Sequence, residues 1–184
     1  MIHPDKIFGR LGNRMFQGVY LYAQMKRGEI PDIYVQDPKY FDDYRDDIRR
    51  LYGDGIVRSD YVAIHYRQGD YIGNNFYVNL SETSYYQEAI KYFPGAKFLV
   101  FSDDIERAKS YFIGDMFSFS EGKTEIEDLN LMSGCRGLII ANSSYSFWGA
   151  YLSDSNEIIT PSYKRWYTDG SIIRTVLPKE WKQI

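Results

Sequence analysis

From Tyr61 onward, short apolar runs alternate with amphipathic stretches, and nearly every run ends in a polar cluster. Strands are expected at Val62–Tyr66, Lys97–Phe101, Met116–Phe119, Gly137–Ala141 and Glu157–Thr160. Helices are expected from Ser81 or Thr83 to Phe93, from the Asp103-Asp104 pair to about Phe112, and over Glu125–Ser133 and Tyr145–Leu152. Thr124 and Glu127 have capping-box spacing, Pro94-Gly95 breaks one helix, and Pro161 ends the last strand. Such alternation specifies an α/β fold, a doubly wound parallel sheet with helices on both faces. Right-handed crossovers then bring the carboxyl ends of all strands to one edge. That edge gathers His65, Arg67, Asp70, Ser102, Asp103, Asp104, Asn142, Ser143 and Ser144. Open α/β sheets bind ligands at such an edge. Arg67 is its key member, a permanent charge with a planar fork of donors suited to phosphate.

The segment before Tyr61 is less regular. Gly9-Arg10-Leu11-Gly12-Asn13 is a glycine-rich turn, too short and wrongly spaced for either common phosphate-loop pattern. Its glycines suit a close backbone approach to a ligand, and Asn13 suits a helix start. Met15, Phe16, Val19, Tyr20, Ala23 and Met25 follow at near-helical spacing, up to about Gly28. Residues 29–60 are rich in Asp, Arg and Tyr, with Pro31, Pro38, Gly53 and Gly55 among them, and read as short elements in a thin region. The expected organisation is a reduced N-terminal region, 1–60, followed by one ligand-binding domain, 61–184.

Composition removes several classes. A net charge of −3 argues against a broad nucleic-acid surface. One cysteine, Cys135, excludes an intrachain disulfide framework, and reads as a structural thiol beside an apolar strand. With only two histidines, His3 and His65, a multi-histidine metal site is not expected. No stretch approaches the ~20 apolar residues of a membrane span, and the N-terminus lacks a signal pattern. The expectation is a soluble protein that is not secreted. The 18 tyrosines suit stacking on sugars or bases, and equally a tyrosine-rich core.

Two clusters carry more than one chemistry. Asn142-Ser143-Ser144 falls where a strand feeds a helix, so free N–H groups and serine hydroxyls can meet a phosphate, or the tripeptide simply caps the helix. In Ser102-Asp103-Asp104, one carboxylate can accept from guanine or from ribose hydroxyls while the other caps a helix. A metal reading of the acidic pair lacks a third ligand nearby in sequence.

Four segments in order resemble the α-1,2-fucosyltransferase family of inverting, GDP-fucose-dependent glycosyltransferases. Gly9-Arg10-Leu11-Gly12-Asn13-Arg14-Met15-Phe16-Gln17 is similar to the family's G-G-L-G-N-Q-M-F-Q. His65-Tyr66-Arg67-Gln68-Gly69-Asp70-Tyr71 resembles H-x-R-x-G-D-Y, and Phe101-Ser102-Asp103-Asp104 matches F-S-D-D. Ala141 to Leu152 resembles A-N-S-[ST]-[FY]-S-W-W-G-A-x-L, with Phe147 at the first tryptophan. Arg10 and Arg14 stand where glycine and glutamine are usual, and residues 29–60 replace most of a first domain.

The resemblance implies a Rossmann-like, GT-B type donor domain and transfer of L-fucose from GDP-β-L-fucose to a glycan hydroxyl, giving an α-1,2 linkage. It implies no metal and no cofactor. Arg67 would meet the β-phosphate, Asn142, Ser143 and Ser144 the pyrophosphate, His65 phosphate or ribose, and Asp103 or Asp104, beside Ser102, the guanine. Arg10, Gly12 and Asn13 would approach the donor from across the cleft, with Asn13 beside the reacting groups. Asp70 is the candidate general base, or else the residue that orients Arg67. The partners expected are a GDP-sugar and a glycan, with no nucleic acid. Whether a homo-oligomer completes the shortened acceptor side stays open. A bacterial or viral enzyme of the cytoplasm fits. The competing readings are a non-catalytic GDP-sugar or carbohydrate-binding module, and a glycosyltransferase using another nucleotide sugar.

Overall fold

The computed structural model describes residues 9–27, 36–169 and 175–184; His3, Gly28 and Pro31 lie outside them. Six parallel strands, β1 (Ser59–Tyr66), β2 (Phe98–Ser102), β3 (Phe117–Phe119), β4 (Cys135–Ile139), β5 (Ile158–Thr160) and β6 (Lys182–Gln183), form one sheet in the order β3-β2-β1-β4-β5-β6. This is the doubly wound, Rossmann-like order, whose direction reverses between β1 and β4.

Alternating side chains send the strands into two cores. Val62, Ile64 and Tyr66 of β1 pack with α3 (Tyr85–Ile90) and α4 (Ile105–Tyr111) on one face. Ala63 of β1 and Leu138 of β4 pack on the other with α1 (Leu11–Arg27), α2 (Arg45–Tyr52), α5 (Glu125–Ser133) and α6 (Ser144–Leu152). A sheet covered on both faces requires near-continuous apolar strands, which Val62–Ile64 and Leu138–Ala141 supply.

α6 is buried on every side from Ser146 to Leu152, the property of a helix at the centre of a core. Its Trp148 and Phe147 meet Phe16 of α1, each with ring centroids 4.8 Å apart. Trp148 Nε1 donates to Gly12 O at 3.0 Å, so the indole's polar atom is also satisfied. Truncating such a buried aromatic costs about 3–5 kcal/mol. Residues on both sides of position 60 therefore share one core, α1 through Met15 and Phe16 and α2 through Ile48.

Most expected elements are present within a few residues. The capping box of α5 is made, with Thr124 Oγ1 accepting from Glu127 N at 3.3 Å and Glu127 Oε2 from Thr124 N at 2.8 Å. The helix expected from Ser81 or Thr83 to Phe93 is shorter. Leu80–Glu82 forms a separate 3-10 turn, held by Asn79 accepting from Ser81 N, and α3 starts only at Tyr85. Cys135 is buried, and that burial pushes its thiol up to about 12, which makes it inert as a nucleophile.

Candidate functional site

A cleft of about 500 Å³ opens at the carboxyl edge of the sheet, above the switch point. Arg10, Gly12, Asn13, His65, Arg67, Asp70, Ser102, Asp103, Asn142, Ser143 and Ser144 all line it. Asp104 does not. It caps α4, accepting from Arg107 N at 3.1 Å and pairing with Arg107 Nε at 3.3 Å. Of the two neighbouring acids, only Asp103 belongs to the cleft.

Arg67 leaves the end of β1 with its side chain only 10% exposed. Asp70 Oδ1 accepts from its Nη2, and Asp103 Oδ2 lies 2.6 Å from its Nη1. The guanidinium also lies over the Tyr71 ring, 5.1 Å from the centroid. Its Nε is buried without a partner among the described residues. Asp103 has partners on both oxygens: Oδ1 accepts from Gln68 N at 2.9 Å, while Oδ2 also faces Arg10 Nη1 at 3.6 Å. Gly69, at φ +22°, permits this latch, since a Cβ there would lie 2.2 Å from Asp103 Oδ2.

The N-termini of α1 and α6 meet at the cleft. A Cβ on Gly12 would stand 2.4 Å from Tyr145 N and 2.5 Å from Ser144 C. Gly12 is thus required for close helix contact, and it also lines the cleft, where close approach to a ligand is expected of it. Two helix N-termini side by side leave unpaired N–H groups and two positive dipole ends toward one volume. The serines divide the work. Ser143 Oγ accepts from Tyr145 N at 3.3 Å as the cap of α6, which leaves its proton for a ligand. Ser144 Oγ donates its proton to Asn13 Oδ1 at 2.8 Å, so it has none left for a phosphate. Asn13 also accepts from Gln36 Nε2 at 3.2 Å and so positions the two helix ends.

His65 sits on the α6 face of β1, with its ring 5.4 Å from that of Tyr145. Burial, reinforced by the Arg67 charge, pushes the imidazole down to about 3, so it is neutral at physiological pH. Its Nδ1 is buried with no partner among the described residues. The unfolded chain takes up this proton near pH 6.5 and the folded one near 3, so stability contributed by neutral His65 is present above 6.5 and lost as pH falls toward 3. Replacing His65 by Gln should flatten this dependence by up to about 1.4 kcal/mol per pH unit across that window, read from denaturant unfolding. An unchanged slope would contradict the buried, neutral state.

Several cleft residues carried no clear sequence signal. Asp128 of α5 is half-buried, and that burial raises its carboxyl above the usual range although Ser120 Oγ donates to Oδ1 at 2.6 Å. Tyr77, Trp166 and Tyr167 join Tyr71 in an aromatic wall. The one available clue to that wall is the tyrosine excess. Among the described residues, no three His, Cys, Asp or Glu side chains cluster to hold a metal ion. No helix there is long and apolar enough to cross a membrane.

A parallel sheet in Rossmann-like order with a polar cleft at its switch point, where two helix N-termini meet, defines a doubly wound α/β domain. The chain belongs to glycosyl transferase family 11, whose profile matches residues 9–184. It is 34% identical over 175 residues to an alpha-1,2-colitosyltransferase of Escherichia coli, covering 81% of this chain and 60% of that protein. It is 30% identical over 176 residues to the O-antigen biosynthesis glycosyltransferase WbnK of Escherichia coli, covering 80% of this chain and 58% of that protein. The chain therefore spans about three-fifths of the length of these relatives. No solved structure matches it.

Proposed function

We propose that this domain binds the nucleotide-sugar donor of an inverting glycosyltransferase that moves L-fucose from GDP-β-L-fucose to a glycan hydroxyl, forming an α-1,2 linkage in the bacterial or viral-host cytoplasm. One observation carries the reading. Arg67, with a free Nε, stands beside the paired helix N-termini and the Ser143 hydroxyl. A departing nucleoside diphosphate develops negative charge, and fixed cations and dipoles aimed at it lower the barrier without reorganising. Arg67 takes the β-phosphate. Ser143 and the first turn of α6 take the pyrophosphate oxygens.

Base recognition passes from Asp103 to Asp128. Both Asp103 oxygens are occupied by Gln68 N, Arg67 and Arg10, whereas Asp128 has a second oxygen free to accept from a guanine. Asp70 orients Arg67, the role that their pairing favours over general base. Asp70→Asn should weaken GDP binding about 1.5- to 5-fold, the scale of an exposed ion pair, with a smaller change in turnover. A large fall in turnover at unchanged GDP affinity would make Asp70 the base instead.

The direct experiment incubates the protein with GDP-fucose and a glycan panel and reads products by mass spectrometry. A gain of one fucosyl residue, unaltered by excess chelator, is the expected outcome. A GDP-colitose arm tests the sugar named by one relative. Tight GDP binding with neither transfer nor donor hydrolysis would instead indicate a binding module.

A further inference from the structure

Beside the phosphate site, the cleft has an aromatic wall that phosphate chemistry does not explain. Tyr71 and Tyr77 stack with centroids 4.3 Å apart and planes at 4°, and Tyr77 lies 5.7 Å from Tyr167 at 35°. The wall is built from two distant segments joined by an antiparallel bridge between Tyr77 and Tyr167. Asn142 ties it to the end of β4. Its Nδ2 donates to Val78 O and Trp166 O, each at 2.9 Å, and its backbone oxygen accepts from Tyr71 OH at 2.8 Å.

Those two donor bonds fix which way the amide faces. The side-chain oxygen that remains, Oδ1, is buried and has no partner among the described residues. Asn142 itself is only 2% exposed. A buried carbonyl left unpaired is costly, and it can only accept. Phosphate oxygens do not satisfy it; a hydroxyl does. Ring faces are electron-rich and attract the polarised C–H groups on the apolar side of a pyranose. Rings and one fixed acceptor together match a sugar ring. The guanidinium of Arg67 over Tyr71 puts that ring next to the phosphate site.

We propose that Tyr77 and Tyr167, backed by the buried Tyr71 ring that stacks on Tyr77, form with Asn142 Oδ1 as hydroxyl acceptor the subsite for the pyranose of the nucleotide donor. It rests on the donor-binding role proposed above, and goes beyond it by assigning the sugar to the wall of β1 and β5 loops, away from Asp128. Tyr77 and Asn142 then decide which glycosyl group is accepted.

The test is isothermal titration of the protein and its Tyr77→Leu variant with GDP and with GDP-fucose, without acceptor. The expected result is GDP affinity kept within about two-fold, and GDP-fucose affinity reduced about ten-fold or more. Equal effects on both ligands, or none on GDP-fucose, would overturn the subsite while leaving nucleotide binding in place. Absence of GDP binding by the wild type would overturn the donor-binding reading itself, and the subsite with it. A second arm needs no variant: single-deoxy GDP-fucose analogues are titrated into the wild type, and one should bind about ten-fold more weakly. Uniform binding of all analogues would refute Asn142 as the hydroxyl acceptor. In the transfer assay, a raised KM for the glycan with an unchanged KM for the donor would assign the wall to the acceptor and refute the proposal.

Discussion

Arg67→Ala should abolish glycosyl transfer, by about 10³-fold or more in kcat/KM, the scale on which an arginine stabilises departing phosphate charge. The variant also strands two carboxylates, because Asp70 and Asp103 both pair with that guanidinium. Asp103 is only 22% exposed in its side chain, so some stability is lost as well. Arg67→Lys separates the two effects. Lysine restores a positive charge opposite Asp103 but lacks the planar fork and the free Nε. Its melting temperature should recover toward wild type while its turnover stays at least about 10²-fold down. Near wild-type turnover in either variant would remove Arg67 from the phosphate site.

Gly12→Ala should have the second largest effect, and through geometry alone. The added methyl would stand 2.4 Å from Tyr145 N and 2.8 Å from Ser144 O, both backbone atoms of α6 that cannot swing aside. The helices must separate, which strains the Trp148 Nε1 to Gly12 O bond of 3.0 Å and the Phe16 contacts beneath it. Overpacking of this kind costs about 1–3 kcal/mol, visible as a shift of the denaturant midpoint. Donor binding should fall with it, because the shift moves the Ser144–Asn13 bond that locks the two helix ends. Unchanged stability would mean the helices are not in contact here.

The sheet edge was legible before the structure because its signal is local. β-branched runs such as Val62–Ile64 stop at polar residues, and alternation with helices leaves few topologies. Strand β6 was not legible: Lys182 and Gln183 are both exposed and show no apolar pattern. The roles within the edge were only partly legible. Asn142, Ser143 and Ser144 look alike as cap or phosphate ligand, and what separates Ser143 from Ser144 is Asn13, 131 residues away from Ser144. Asp128 sits in the acidic first turn of α5, where Glu125, Glu127 and Asp128 read as favourable to the helix dipole. Its burial comes from the fold around it. Tyr71, Tyr77 and Tyr167 share no period because a short 3-10 turn and an isolated bridge between two loops, not one helix or strand, bring them together.

The central claim is that the switch-point cleft holds a guanine nucleotide through Arg67, Ser143 and the α6 N-terminus. Isothermal titration of the wild-type protein with GDP and UDP tests it most directly. The expected result is one GDP site that is lost in Arg67→Ala, with markedly weaker UDP binding. Equal affinity for GDP and UDP, or GDP binding that survives Arg67→Ala, would contradict it.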